Sequence, residues 1–202
     1  MLEHLRMSPY RAGNNRWTMQ TISRKDTSLI MHTLMSTFSK VLPRFKGKRQ
    51  LLAYYLAGFV DGEGSFSVAI IRHPSQRLGW MINPVFQVYQ HEKHREILEL
   101  FQEYFGVGNI NRKSGTHPVL TFCIDSRRNL LERVIPFFER YPLITKANEF
   151  QRFRQIIIAM ERKEHLNVRG FKRLVSLAYE MNQQGKGRKH TKAYIFSTLP
   201  KE

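Results

Sequence analysis

The stretch Leu51–Ser67 constrains the chain most. Its first part, LLAYYLAGFV, is apolar with helical spacing at Leu52, Tyr55, Leu56, Phe59 and Val60, and small residues stand at Ala57 and Gly58. The run ends abruptly in Asp61-Gly62-Glu63-Gly64, and the next residues, Ser65-Phe66-Ser67-Val68-Ala69-Ile70, alternate. The period switches from helical to two, which predicts a short helix followed at once by a strand. Acidic side chains at the C-terminal end of a helix are disfavoured by the helix dipole. A positive partner is therefore expected there, and a divalent cation is the obvious candidate.

The alternation continues as a hairpin: a strand over Ser65–Arg72, a basic turn-rich segment His73–Trp80, and a second strand over Asn83–Gln90. Phe66, Val68, Ile70, Phe86 and Val88 share a core face. Ser65, Ser67, Ala69 and Ile71 point the other way, with Asn83, Val85, Gln87 and Tyr89. That second face is small and polar, and it suits an exposed sheet surface laid against something polar. Glu92–Phe105 reads as an amphipathic helix ended by Gly106 and Gly108. Strands near Asn109–Lys113 and over Val119–Ile124 flank a turn at Ser114-Gly115. A helix carrying Leu130, Val134 and Phe138 follows, which Pro136 should kink or end. Thr145 then caps a long helix, and a last one covers about Gly170–Met181 before the basic tail Gly185–His190. Helix, hairpin, helix, hairpin, helix, helix argues for an α+β fold with an antiparallel sheet.

Leu56-Ala57-Gly58-Phe59-Val60-Asp61-Gly62-Glu63-Gly64 resembles the LAGLIDADG motif of homing endonucleases. It departs in having Gly62 for the usual Ala and Glu63 for the second Asp, which keeps the carboxylate. The likeness extends from about Gln50 to Lys192, through Val107-Gly108-Asn109 and Pro142-Leu143-Ile144-Thr145-Lys146. It implies residues 1–48 as a basic extension, 49–192 as the endonuclease domain and 193–202 as a tail.

The resemblance implies a saddle-shaped antiparallel sheet lying along the DNA major groove. It implies cleavage of both strands of a long pseudo-palindromic site, in the service of intron mobility. The motif occurs once, which in this family implies a homodimer whose motif helices meet through Leu56, Ala57, Gly58 and Phe59. It assigns metal binding to Glu63 with the Gly62 carbonyl, the metal being Mg2+ or Mn2+, with Ca2+ as a non-catalytic substitute. Hard, oxygen-seeking ions suit such ligands. Asp61 is given a structural role at the helix end. Gln90 matches a residue that positions water, and Lys146 one that steadies charge at the cut phosphate; His94 is a weaker match. For base reading, the outward strand faces offer Ser67, Asn83, Gln87 and Tyr89, then Asn109, Asn111 and Lys113. Arg72 and Arg77 flank the hairpin turn, and Lys186, Arg188 and Lys189 of the tail suit backbone phosphates.

Charge supports a polyanionic partner: 33 Lys and Arg against 16 acidic residues give +17. Nucleic acid is the first choice and an anionic membrane surface the second; no apolar run approaches the roughly 20 residues of a span. Double-stranded DNA is the first choice of partner. An RNA-binding intron maturase, or a DNA-binding protein that does not cut, is the alternative on the same fold. Cys123 is the only cysteine, so an internal disulfide and a Cys-rich zinc module are both excluded. Residues 1–48 are rich in Arg, Ser, Thr and Met. They read as an organellar transit peptide, as a basic arm on phosphates, or as a translated leader. A chloroplast or mitochondrion is favoured over the nucleus, with a prokaryotic cytoplasm as the alternative.

Overall fold

A computed structural model of the chain describes residues 47–112, 118–181 and 188–200. The expectations for residues 1–46, for Lys113 and the Ser114-Gly115 turn, and for Lys186 lie outside the described residues.

Helix α1, Arg49–Glu63, runs straight into strand β1, Gly64–Arg72. Helical spacing puts Leu52, Ala53, Leu56, Ala57 and Val60 on one buried stripe. Strand β2, Trp80–His91, returns antiparallel to β1, from Arg72↔Trp80 to Gly64↔Val88. It starts earlier than the sequence suggests, because buried Trp80 and Ile82 continue the inward alternation. A 3-10 turn over Glu92–His94 leads into α2, Arg95–Phe105, which ends at Gly106 with φ 67°. Only a residue without a Cβ takes that left-handed conformation freely. Strands β3, Asn109–Arg112, and β4, Val119–Ile124, complete one four-stranded sheet in the order β1-β2-β4-β3. Every pairing is antiparallel, as the α+β reading requires.

Beyond β4 the chain is helical. Arg127–Asn129 (α3) passes through a π-helical turn, Leu130–Val134, into Ile135–Arg140 (α4) with helical backbone at each junction. Pro136 therefore does not end the helix. A proline lacks one N–H and its ring crowds the carbonyl four residues back, and the wider π turn just before it accommodates both. Helix α5, Ala147–Glu161, follows, then α6, Val168–Tyr179, whose first turn is capped by the Asn167 side chain accepting from Gly170 N at 2.7 Å. A final helix α7, Lys192–Ser197, lies across the expected tail boundary at 192. Ile195 and Leu199, one turn apart, are both buried, and Thr198 accepts a hydrogen bond from Trp80 Nε1 at 2.9 Å.

The helices cover one sheet face. Phe66 of β1 stands at its centre, its ring 5.3 Å from Phe86, 5.3 Å from Phe138, 5.5 Å from Phe150 and 5.2 Å from Phe153. Burying rings of this size contributes on the order of 2–3 kcal/mol each. Among the described residues no helix lies over the opposite face, which carries the polar half of the alternation.

Candidate active site and nucleic-acid interface

Two distant segments meet at the C-terminal end of α1. The Asp61 carboxylate accepts from the backbone N–H of Ile144 at 2.8 Å, and from those of Thr145 and Lys146 at 3.1 Å each. Thr145 Oγ1 donates to the same carboxylate at 3.1 Å. Burial pushes the Asp61 carboxyl up, but the hydrogen bonds from Ile144, Lys146 and Thr145 outweigh it and hold the group below the ordinary carboxylate range. Asp61 thus has the structural role expected of it. Thr145, in contrast, does not cap α5: residue Lys146 holds the N-cap position without a side-chain cap, and the Thr145 hydroxyl is spent on Asp61.

Lys146 Nζ donates to the Asp61 carbonyl oxygen and to that of Gly62 at 3.2 Å. The positive partner demanded by this helix end is therefore an ammonium of the chain itself. The Gly62 carbonyl, expected as a backbone metal ligand, already accepts from that ammonium. Glu63 is exposed, and among the described residues it has no hydrogen-bond or ion-pair partner. An unpaired carboxylate is a hard oxygen donor suited to a divalent cation. No group of three His, Cys, Asp or Glu that could hold a metal occurs among the described residues. Glu63 fits the expected ion, then, provided further oxygens come from outside one copy of the chain.

Gln90 lies near the same end. Gly64 pairs with Val88, so Gln90, two residues further along the same face, lies level with the junction of α1 and β1. Its Oε1 accepts from His91 N at 2.7 Å, which leaves its amide N–H groups as donors. His91 is occupied locally, its Nδ1 accepting from Lys93 N at 3.1 Å. His94 is exposed, with Nδ1 3.7 Å from Glu96.

The four residues named for a helix contact divide. Leu56 and Ala57 are buried in the core, because they fall on the inward stripe of α1. Gly58 is exposed and Phe59 half-buried, with the Phe59 ring 6.0 Å from Phe101. The open stripe consists of Leu51, Tyr54, Tyr55, Gly58 and Gly62, and a Cβ built at either glycine meets nothing within 4 Å.

The open sheet face gathers residues by register. Ser65, Gln87, Cys123 and Asn109 form one row across all strands. Tyr89, Thr121 and Asn111 form the next. Ser67 and Asn83 stand further out, opposite Val85 and Ala69. Tyr89 Oη donates to Gln87 Oε1 at 2.9 Å. The residues named for base reading stand at both sides of each row, with half-buried Cys123 and buried Thr121 between them. Their alternation with Leu120, Phe122 and Ile124 was the available signal for their place on this face. Arg72 and Arg77 are exposed, the former with Cζ 5.2 Å from the Trp80 ring centre.

Of the tail residues, Lys189 is exposed, but Arg188 is not a free cation. It is half-buried, donates to Val68 O at 2.8 Å and to Ala178 O, and lies 4.5 Å over the Tyr179 ring. These contacts fasten it along β1 and compete with the phosphate role expected of it. A cleft of about 680 Å³ lies elsewhere, between the β1–β2 turn and the start of α3, and none of Glu63, Gln90 or Lys146 lines it. The residues named for chemistry stand at an open surface, as a reaction on a long polymer requires.

The sequence profile of the LAGLIDADG endonuclease family matches residues 56–157. Among curated proteins, a probable intron-encoded endonuclease of Neurospora crassa is 33% identical over 147 residues. That match covers 72% of this chain, and the chain spans only 27% of that relative's length. Among solved structures, an archaeal intron-encoded homing endonuclease, I-Vdi141I, complexed with DNA, aligns with a TM-score of 0.69 at 34% identity. The alignment covers 75% of this chain and 96% of that one. I-SmaMI, bound to an uncleaved DNA target in the presence of calcium ions, aligns with a TM-score of 0.62 at 30% identity, over 64% of this chain and 44% of its own.

Proposed function

The chain belongs to the LAGLIDADG endonuclease family, and from that membership we propose that it is a site-specific endonuclease cutting both strands of double-stranded DNA. One observation carries the reading: an exposed Glu63 carboxylate, without a partner among the described residues, follows directly on Gly62, whose carbonyl oxygen accepts from the Lys146 ammonium at 3.2 Å. The helix dipole disfavours negative charge at this end, so a carboxylate without a partner adds nothing to the fold there.

The sheet face binds the major groove, where Asn and Gln side chains pair with adenine edges and the small Ser67 and Cys123 leave room for them. Glu63 would hold a divalent ion, magnesium by preference, whose chemistry when bound would be to activate water and neutralise charge at phosphorus. Lys146 keeps a fixed positive charge beside the phosphate, without needing to move when charge develops. Gln90 offers amide donors to an ordered water. One copy supplies a single carboxylate, which supports a homodimer in which the open stripes of two α1 helices meet. Such packing brings two Glu63 residues together, one for each strand of a pseudo-palindromic site. The I-SmaMI complex with an uncleaved DNA target in the presence of calcium ions supports an oxygen-seeking ion in the family.

Glu63→Gln tests the assignment. Removing the charge while keeping the shape should lower cleavage of a selected target by about 10²–10³-fold or more, the scale of losing one preorganised electrostatic group. Melting temperature and DNA affinity should be unchanged. The assay is strand cleavage with magnesium on a target recovered from a DNA library. A variant that cuts at the wild-type rate removes Glu63 from the chemistry. A wild-type protein that binds nucleic acid but recovers no cut site leaves a binding protein or a maturase.

A further inference from the structure

We infer that Asp61 is a positioning residue for Lys146, fixing where its ammonium meets the end of α1. The inference rests on the reading that Lys146 and Glu63 share a cleavage site.

The segment Ile144–Lys146 has little else to hold it. Leu143 before it and Phe150 after it are buried, but the Ile144 side chain is 86% exposed and Thr145 is exposed too. Apolar packing therefore anchors the flanks and leaves the middle free. What fixes the middle is polar: three successive backbone N–H groups and one hydroxyl converge on the Asp61 carboxylate. Bonds to an ionised acceptor are roughly twice as strong as neutral ones, and successive N–H groups form a natural anion cradle. Asp61 lies 83 and 85 residues from Ile144 and Lys146, so the contact joins two parts of the chain that local structure does not connect.

The direction of the bonds matters. Asp61 uses its side chain to draw in the Lys146 backbone, and its own carbonyl oxygen then receives the Lys146 side chain. With the backbone fixed, the ammonium also reaches the Gly62 oxygen, one residue from Glu63. Asp61 touches no reacting group in this arrangement. It acts by setting the distance between a cation and a carboxylate that come from separate elements.

A double-mutant cycle tests this. Asp61→Ala should lower the single-turnover cleavage rate by about a hundredfold, the scale of an ångström-sized misplacement, with the dissociation constant for DNA unchanged. In a Lys146→Met background, Asp61→Ala should add little or nothing, because residues that act through one another are not additive. Effects that multiply would overturn the inference and leave Asp61 as a fold residue only. A second arm needs no activity: acetylation of Lys146 by a water-soluble anhydride, followed by mass spectrometry, with Lys189 as internal reference. Asp61→Ala, or Asp61→Asn should the alanine variant not fold, should accelerate labelling of Lys146 several-fold relative to Lys189. An unchanged ratio overturns the inference. If the wild type cuts no DNA while the labelling ratio rises, the positioning stands and the endonuclease reading falls.

Discussion

Gly64 shows how tightly one position can be specified. A Cβ there would lie 2.5 Å from Val60 Cγ1 and 2.8 Å from the Val60 carbonyl oxygen. The backbone at Gly64 is extended, with φ −87°, so contact rather than conformation excludes a side chain. Its own N–H still bonds to Val60 O, closing the helix at the residue that opens the strand. Gly64→Ala should therefore cost about 1–3 kcal/mol, the usual range for overpacking a filled site. Urea denaturation of the variant measures it, and a midpoint equal to that of wild type would show that α1 can shift without cost. The helix-to-strand junction was legible here as an abrupt change of period, but the need for glycine was not, because it comes from a contact with Val60. The task of Asp61 was legible only in part: an acid at a helix end stands out, but its partners begin 83 residues away and no local pattern encodes them. Arg188 was read as a phosphate contact for the same reason, since its acceptors lie on β1 and α6 rather than nearby in sequence.

Among the elements, the strands were the most legible and the helix interruptions the least. A strand buried on one face writes its register into alternate residues, and a slip by one residue would turn Phe66, Val68, Phe86 and Val88 outward. Helices lack that rigidity of pattern: the π turn at Leu130–Val134 leaves no mark in composition beyond the proline that follows it. Helix α1 carries two opposed messages. Its inward stripe is ordinary core, whereas its outward stripe pairs large exposed side chains, Leu51, Tyr54 and Tyr55, with bare backbone at Gly58 and Gly62. Exposed apolar groups beside small residues allow another helix to come close. Gly58→Leu separates the fold from the proposed assembly. Nothing lies within 4 Å of the new Cβ, and leaving glycine gains about 0.5–1 kcal/mol of helix propensity. The variant should melt at or above the wild-type temperature, yet sediment as a monomer where the wild type sediments as a dimer. A Gly58→Leu protein that remains dimeric would move the interface away from this stripe.

For the molecule as a whole, the formal charge of +17 states how many cations exist, not how many are free to meet phosphate. Several arginines are already matched: Arg95 with Glu99 at 2.8 Å, Arg128 with Glu132 at 2.9 Å, Arg154 with Glu139 at 2.6 Å, and Arg112 with Glu92. Exposed pairs of this kind add little to stability, commonly below about 1 kcal/mol, but each lowers the local field that a polyanion meets. Binding to duplex DNA should weaken with salt in proportion to the phosphates actually neutralised, with a slope of about −0.9 per contact on logarithmic axes. Two neighbouring tail residues then make opposite predictions. Lys189 is exposed and has no ion-pair partner among the described residues, so Lys189→Ala should flatten the slope by about one contact at unchanged stability. Arg188 is held by two carbonyls and a ring. Arg188→Met should leave the slope unchanged and lower the unfolding free energy by about 1–3 kcal/mol, the range for hydrogen bonds from a charged donor. Fluorescence anisotropy over a salt series, beside urea denaturation, reads both. A flattened slope for Arg188→Met would mean that the guanidinium leaves Val68 and Ala178 when DNA arrives, and that the tail, rather than the sheet alone, closes on the duplex.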